Sequence, residues 1–518
     1  MRLLALALAP FALASTAAAQ STFRVDETTI ADVHAAMRSG SLTCHALVQA
    51  YLRRIDAYDK RGPAINAITV VNPDALAVAD SLDKRFAAGR QLVGPLHCIP
   101  MIVKDNFQTI GLQTAAGNLA LKGYEPSKDA FQVRRVKEAG AIVLAKSNMA
   151  EFAFSPYETV NSVLPGYTKN PFALDRVTAG SSGGTAAAVA ADLGEAGLGT
   201  DTGNSIRGPS SHNALVGIRS TMGLTSRAGI APLSLFADIA GPMARSVADA
   251  TAVLQVIAGY DPNDPVTEAV KGKPIPDYSA SLVRDGLKGA RIGVLRQAFE
   301  GPTVDPEVRA VFDKAIAELR RAGATVLDTV IIAEMDSIRR AGRGDCNPFK
   351  YEINQWLAQQ GDRVPVKTID SIYRSGRYHP SIQARLERAL RYDQSPDSAA
   401  GCQARQRTRE GLRDAVTRTM DRLQLDALVY PTWSNPPRLI GDLNTPAGDN
   451  SQVFSPTTGM PAITVPMGYT RQNTLPAGMT FFGRAFDEPR LIKLAYGFEQ
   501  TTKWRREPAT TPPLSSVP

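Results

Sequence analysis

Lys104 is the first residue whose type and position suit chemistry. In segment 94–106 it closes the apolar run Ile99-Pro100-Met101-Ile102-Val103, so a strand ending there leaves its amine at a sheet edge in a partly dry setting. Desolvation disfavours the ammonium form and lowers the lysine pKa, as a general base requires; a lysine snorkelling to the surface is the alternative. Segment 178–191 reads Thr178-Ala179-Gly180-Ser181-Ser182-Gly183-Gly184-Thr185, then an alanine-rich run. Small residues opening a helix gather backbone N–H groups and two hydroxyls at a positive N-terminus, although a flexible loop with a capping serine has the same composition. No Gly-Lys-Ser/Thr follows, which disfavours a phosphate loop. Segment 199–209 places Ser205 in a tight Gly/Asn turn after Ala196-Gly197-Leu198. Such a turn can aim consecutive N–H groups at one point, the requirement of an oxyanion hole, or can be a plain turn.

These residues need a frame, and the apolar patterning supplies one. Thr43 caps a helix whose Leu47, Val48, Tyr51, Leu52 and Ile55 share a face. A helix over Phe131 to Glu138 ends at Gly140 and leads into Ala141-Ile142-Val143-Leu144-Ala145, a short buried strand. The alternation recurs as a strand at 291–295, a helix over 308–322 and a strand at 325–327, with further strands at 427–430 and 462–465. Strand and helix alternating along the whole length indicate an α/β architecture. Residues 261–276 form a Pro-rich connector, and about 340–403 read as an irregular helical insertion over the core. The Pro/Ser/Thr-rich residues 509–518 are expected to fray.

Together the three segments resemble the amidase signature family, whose motifs run approximately G-x-P-x-G-I-P-x-x-x-K-D, G-G-S-S-G-G and D-T-G-G-S-I-R-x-P. All occur in order, with Ser181 and Ser205 24 positions apart. Weaker likenesses lie at 145–152, 240–249 and 458–466, so the resemblance covers roughly Asp32 to Arg506. It implies one catalytic domain over 20–508, with a large mixed, mostly parallel central sheet covered by helices on both faces. It implies carboxamide hydrolysis without cofactor or metal: Ser205 as nucleophile, Ser181 as bridging serine after a cis Gly180–Ser181 bond, and Lys104 as base. Backbone N–H groups of Thr202, Gly203, Asn204 and Ser205 would hold the oxyanion, and Ser182, Asp201 and Arg207 would brace the loops. Asn204, Ala179 and Cys98 each stand where the family has glycine. Asn tolerates positive φ, so the turn at 204 is expected to survive, with a side chain that narrows the acyl pocket or adds a hydrogen bond.

Composition bounds the rest. Met1-Arg2, the apolar stretch Leu3 to Leu13 and Ala17-Ala18-Ala19 read as a signal peptide cleaved after Ala19, hence a secreted or periplasmic protein. No segment reaches the ~20 apolar residues of a membrane span. The net charge of +8 is spread along the 518 residues without the basic stripe that nucleic-acid binding needs. Four cysteines, with no CxxC or Cys/His pattern, allow two disulfides in three connectivities. Cys346–Cys402 is the favoured pair, and Cys98 has Cys44 as a possible partner. The expected partner is a small-molecule or peptide amide substrate, and the expected state is a monomer or homodimer. Ser81-Leu82-Asp83-Lys84 fits S-x-x-K, but without S-D-N or K-T-G it does not make a β-lactamase. The remaining rivals are the A chain of a glutamyl-tRNA amidotransferase, against which a signal peptide argues, and a non-catalytic binding protein of the same fold, against which the complete triad argues.

Overall fold

The computed structural model describes residues 23–341 and 345–514; the expected signal peptide, 1–19, lies outside them. The strands are β1 (Ile68–Val71), β2 (Pro100–Lys104), β3 (Ile142–Ser147), β4 (Lys169–Asn170), β5 (Ala173–Val177), β6 (Ala196–Asp201), β7 (Val216–Arg219), β8 (Ile239–Ala244), β9 (Arg291–Val294), β10 (Thr325–Asp328), β11 (Ala427–Pro431), β12 (Ala462–Thr470) and β13 (Leu475–Phe482). Among the described residues, β4 and β5 form a small ribbon and the others a single sheet in the order β1-β3-β2-β6-β8-β7-β12-β13-β11-β9-β10. No helix among the described residues is long and apolar enough to cross a membrane.

The α/β class and the mixed sheet agree with the sequence, but the expectation of a mostly parallel sheet needs correction. Strands β3-β2-β6 and β11-β9-β10 pair in parallel, whereas β6-β8-β7-β12-β13-β11 and the β1–β3 edge are antiparallel. A strand buried on both faces is an unbroken apolar run whichever way it points, so such runs carry no directional signal. The β12–β13 reversal is set by Arg471, Gln472 and Asn473, all at positive φ.

Local chemistry explains most boundaries. Thr43 Oγ1 accepts from Ala46 N at 3.1 Å and starts the helix Cys44–Tyr58, which buries Leu47, Val48, Tyr51 and Ile55. The helix expected from Val308 begins earlier, as Pro306–Arg321, because Asp305 caps it and Pro306 occupies its first turn. Both disulfides form, Cys44–Cys98 and Cys346–Cys402.

The insertion carries the helices Phe349–Gln359, Ile369–Ser375 and Gln383–Ala389. Its expected end near 403 is not an element boundary, since the single helix Ala400–Arg422 crosses it and leads towards β11. Phe349, Ile353, Trp356 and Leu386 form a second core with Tyr124, Phe152 and Phe154, the last with its ring tilted 60° to that of Phe349 at 4.6 Å between centres. The insertion thereby clamps the loops that follow β2 and β3. Part of the tail expected to fray is instead pinned: Thr511 is buried, Arg54 donates to its carbonyl at 2.9 Å, and Tyr58 donates to the Pro512 carbonyl at 2.6 Å.

Candidate active site

Strands β2 and β6 are parallel neighbours, with Met101 opposite Ala196 and Val103 opposite Leu198. Their carboxyl ends therefore lie side by side and present Lys104 next to Thr200, the edge at which open α/β sheets place their ligands. Lys104 is wholly buried, and its Nζ donates to Ser181 Oγ at 2.8 Å and to Thr200 Oγ1 at 2.7 Å. Burial strips water from the ammonium and brings its pKa down to about 7, against the opposing pull of Asp238 and Asp201.

Ser181 follows a cis Gly180–Ser181 bond, in a loop that admits few alternatives to glycine. A Cβ on Gly180 would lie 2.5 Å from the Ser155 carbonyl oxygen and 2.6 Å from that of Glu158; one on Gly183 would lie 2.0 Å from Thr159 Oγ1. The two adjacent serines divide their contacts. Ser181 meets the lysine, whereas Ser182 Oγ donates to the Thr200 carbonyl at 3.1 Å and Ser182 N donates to the Ser205 carbonyl at 3.3 Å. Ser182 thus staples the serine loop to the turn carrying Ser205.

Ser205 is 4% exposed and lines a cleft of about 260 Å³ together with Thr202, Gly203 and Asn204. Its hydroxyl makes no hydrogen bond to Ser181 or any other described residue, and the N–H groups of residues 202–205 donate to none. Hydrogen bonds of a working site often tighten only once substrate is bound.

The brace around this turn is denser than the sequence suggested. Arg207 Nε donates to Asp201 Oδ2 at 3.1 Å, and Arg219 NH1 donates to Asp201 Oδ1 at 3.0 Å, all three side chains being fully buried. Burial alone would raise the Asp201 carboxyl, but the two guanidinium groups hold it down to about 2. Replacing Asp201 with alanine strands two buried cations, so Asp201→Ala is expected to lower unfolding free energy by about 3–5 kcal/mol in a denaturant titration. The depressed pKa sets the sign. The stabilisation is complete above the ordinary value of 3.8 and disappears as pH falls through about 2.

The positions that depart from glycine behave differently. Cys98 and Ala179 keep left-handed backbone, φ 66° and 60°, which disfavours an L side chain by ~1–2 kcal/mol each. Asn204 needs no such conformation: positive φ occurs at neither Gly203 nor Asn204. Its Nδ2 instead donates to Asp449 Oδ2 at 2.7 Å, so the side chain adds a hydrogen bond. Gly208 makes room for it, since a Cβ there would lie 2.6 Å from that nitrogen. Thr200 stands within segment 199–209, but its contact with Lys104 appears only in the fold. Arg219, Asp238 and Asp449 complete the surroundings and were invisible in sequence, because they approach from later strands and loops. Ser81 lies exposed within the helix Ala75–Gly89, away from this edge.

Comparison with known proteins agrees with this geometry. The Amidase family model matches residues 46–492. A peptide amidase structure from Stenotrophomonas maltophilia superposes with a TM-score of 0.83 at 37% identity, covering 93% of this chain and 99% of that one. An amidase family protein from Bacillus anthracis gives 0.81 at 32% identity, covering 93% and 92%. The A chain of the glutamyl-tRNA(Gln) amidotransferase of Moorella thermoacetica is 35% identical over 473 residues, 88% of this chain and 93% of its own. A chain that carries the three motifs at one sheet edge, in this fold and with these relatives, belongs to the amidase signature family and is a hydrolase of amide bonds.

Proposed function

We propose that the protein is an exported amidase that cleaves a carboxamide C–N bond through an acyl-Ser205 intermediate, with Ser181 as proton bridge and Lys104 as base. The carrying observation is the buried Lys104 amine 2.8 Å from Ser181 Oγ. Neutral Lys104 takes the proton of Ser181, which takes that of Ser205 as Oγ attacks the carbonyl carbon. The negative oxygen of the tetrahedral adduct is held by N–H groups of Thr202, Gly203, Asn204 and Ser205; one such donor is typically worth about 10²–10³ in rate. The proton returns through Ser181 to the leaving nitrogen, the C–N bond breaks, and water repeats the sequence to release the carboxylate.

Two considerations favour free hydrolysis outside the cytoplasm over the amidotransferase reading that several relatives' names offer. The N-terminal sequence has the charge, apolar stretch and small residues of a signal peptide, and all four cysteines pair as disulfides, which persist in oxidising compartments. N-terminal sequencing of the exported protein is expected to begin at Gln20; recovery of unprocessed protein in the cytoplasm refutes export. Purified protein is expected to hydrolyse at least one of a peptide C-terminal amide, an N-acyl amino acid and an aryl amide, and to keep its rate in a chelator. Ammonia transfer that requires added partner proteins would support the amidotransferase reading instead.

A further inference from the structure

The helix Ala400–Arg422 aims two guanidinium groups at one ring: Arg405 lies over Phe236 at 4.5 Å from its centre and Arg409 at 3.5 Å. Their hydrogen bonding differs. Arg409 Nε donates to the Thr457 carbonyl at 3.2 Å and its NH2 to the Phe236 carbonyl. Arg405 donates to no described residue and pairs with no described carboxylate, although burial lowers its pKa. Arg405 is only half-buried, and among the buried arginines several have carboxylate partners while Arg409 and Arg438 have none among the described residues. Arg54 pairs with Asp26, Arg207 and Arg219 with Asp201, and Arg245 with Asp192 and Glu195.

Carboxyl groups near Arg405 are engaged elsewhere. Glu352 accepts from Leu235 N at 2.7 Å, and burial raises it to about 8. Asp238 accepts from Thr202 Oγ1, Leu233 N and Ser234 N. Arg405 also lines the Ser205 cleft, whose wall includes a second guanidinium, Arg385, and no aspartate or glutamate. A partly desolvated cation without a carboxylate partner gains a favourable contact when a ligand brings the missing charge.

We infer that Arg405 forms an anion subsite that binds a carboxylate carried by the amide substrate. The guanidinium fork matches a carboxylate in two parallel hydrogen bonds, and its place over the Phe236 ring holds it at the cleft beforehand. This inference rests on the amide-hydrolase reading of the same cleft and narrows it to amides bearing a free carboxylate, such as N-acyl amino acids.

The test compares an N-acyl amino acid with the N-acyl amine that lacks only the carboxylate. Wild-type protein is expected to favour the acid at least about tenfold in kcat/KM. Arg405→Gln is expected to lower the acid-to-amine ratio by about 10–100-fold, mainly through KM, with partial recovery in Arg405→Lys. An unchanged ratio overturns the subsite. Calorimetric titration of the N-acyl amino acid into Ser205→Ala, with and without Arg405→Gln, reads binding without turnover. Binding lost with Arg405→Gln supports the subsite even where hydrolysis fails, and equal binding or none in both refutes it.

Discussion

Ser205→Ala is expected to reduce amide hydrolysis by about 10⁴–10⁶-fold while leaving the fold intact, since removal of a serine nucleophile elsewhere has effects of that size. The fold should survive because the side chain loses one hydroxyl that bonds to no described residue, while the Ser205 carbonyl that anchors Ser182 is retained. Single-turnover kinetics beside circular dichroism separate the two effects. Wild-type turnover in a folded Ser205→Ala protein refutes the acyl-enzyme. A burst of amine release with wild-type protein, absent in the variant, supports it. Ser181→Ala should be nearly as damaging and not additive with Ser205→Ala, because the two act in one proton path.

The second large effect concerns Lys104, and it has a pH signature. A base must be neutral to accept a proton, and burial brings Lys104 down to about 7. In the free enzyme kcat/KM should therefore be level above about pH 7 and fall tenfold for each unit below it. The direction follows from the cation: as pH falls, the amine is protonated and can no longer take the Ser181 proton. Lys104→Met keeps an unbranched chain of similar length in the buried slot and removes the nitrogen. It is expected to lose about 10²–10⁴ in rate, the usual contribution of a positioned base, and to abolish the acid limb centred near 7. Substantial activity of Lys104→Met at neutral pH refutes the base assignment and leaves Ser205 untouched. An acid limb that persists in the variant assigns the titration to another group, for which Asp449, raised to about 6 by burial and bonded to Asn204, is the candidate beside the Ser205 turn.

Elements with strong local signals were legible from the order of residues alone. The helix Phe131–Glu138, the runs that became β3, β9, β10 and β11, and the Thr43 cap all depend on neighbours in sequence. The hairpin partner β13 was not legible: Leu475–Phe482 mixes Pro, Ala, Gly and Thr, and is a strand because it pairs along β12. Strand direction escaped for a related reason, since burial on both faces erases alternation.

The site divides in the same way. Lys104, Ser181 and Ser205 stand in recognisable local settings, a strand end, a small-residue helix start and a tight turn, so their identities were written in sequence. Proximity was not. Only the pairing of β2 with β6 sets Lys104 beside Thr200, and only the folded serine loop decides that Ser181 meets the amine while Ser182 binds backbone. The double pairing of Asp201 and the hydrogen bond from Asn204 to Asp449 likewise require chain segments 18 and 245 residues apart to converge. The same holds for the unpaired guanidinium of Arg405 in the cleft. Chemistry carried by residue type and local backbone can be read from the sequence. Desolvation, charge pairing and proton paths depend on what surrounds a group in space, and tertiary packing alone decides them.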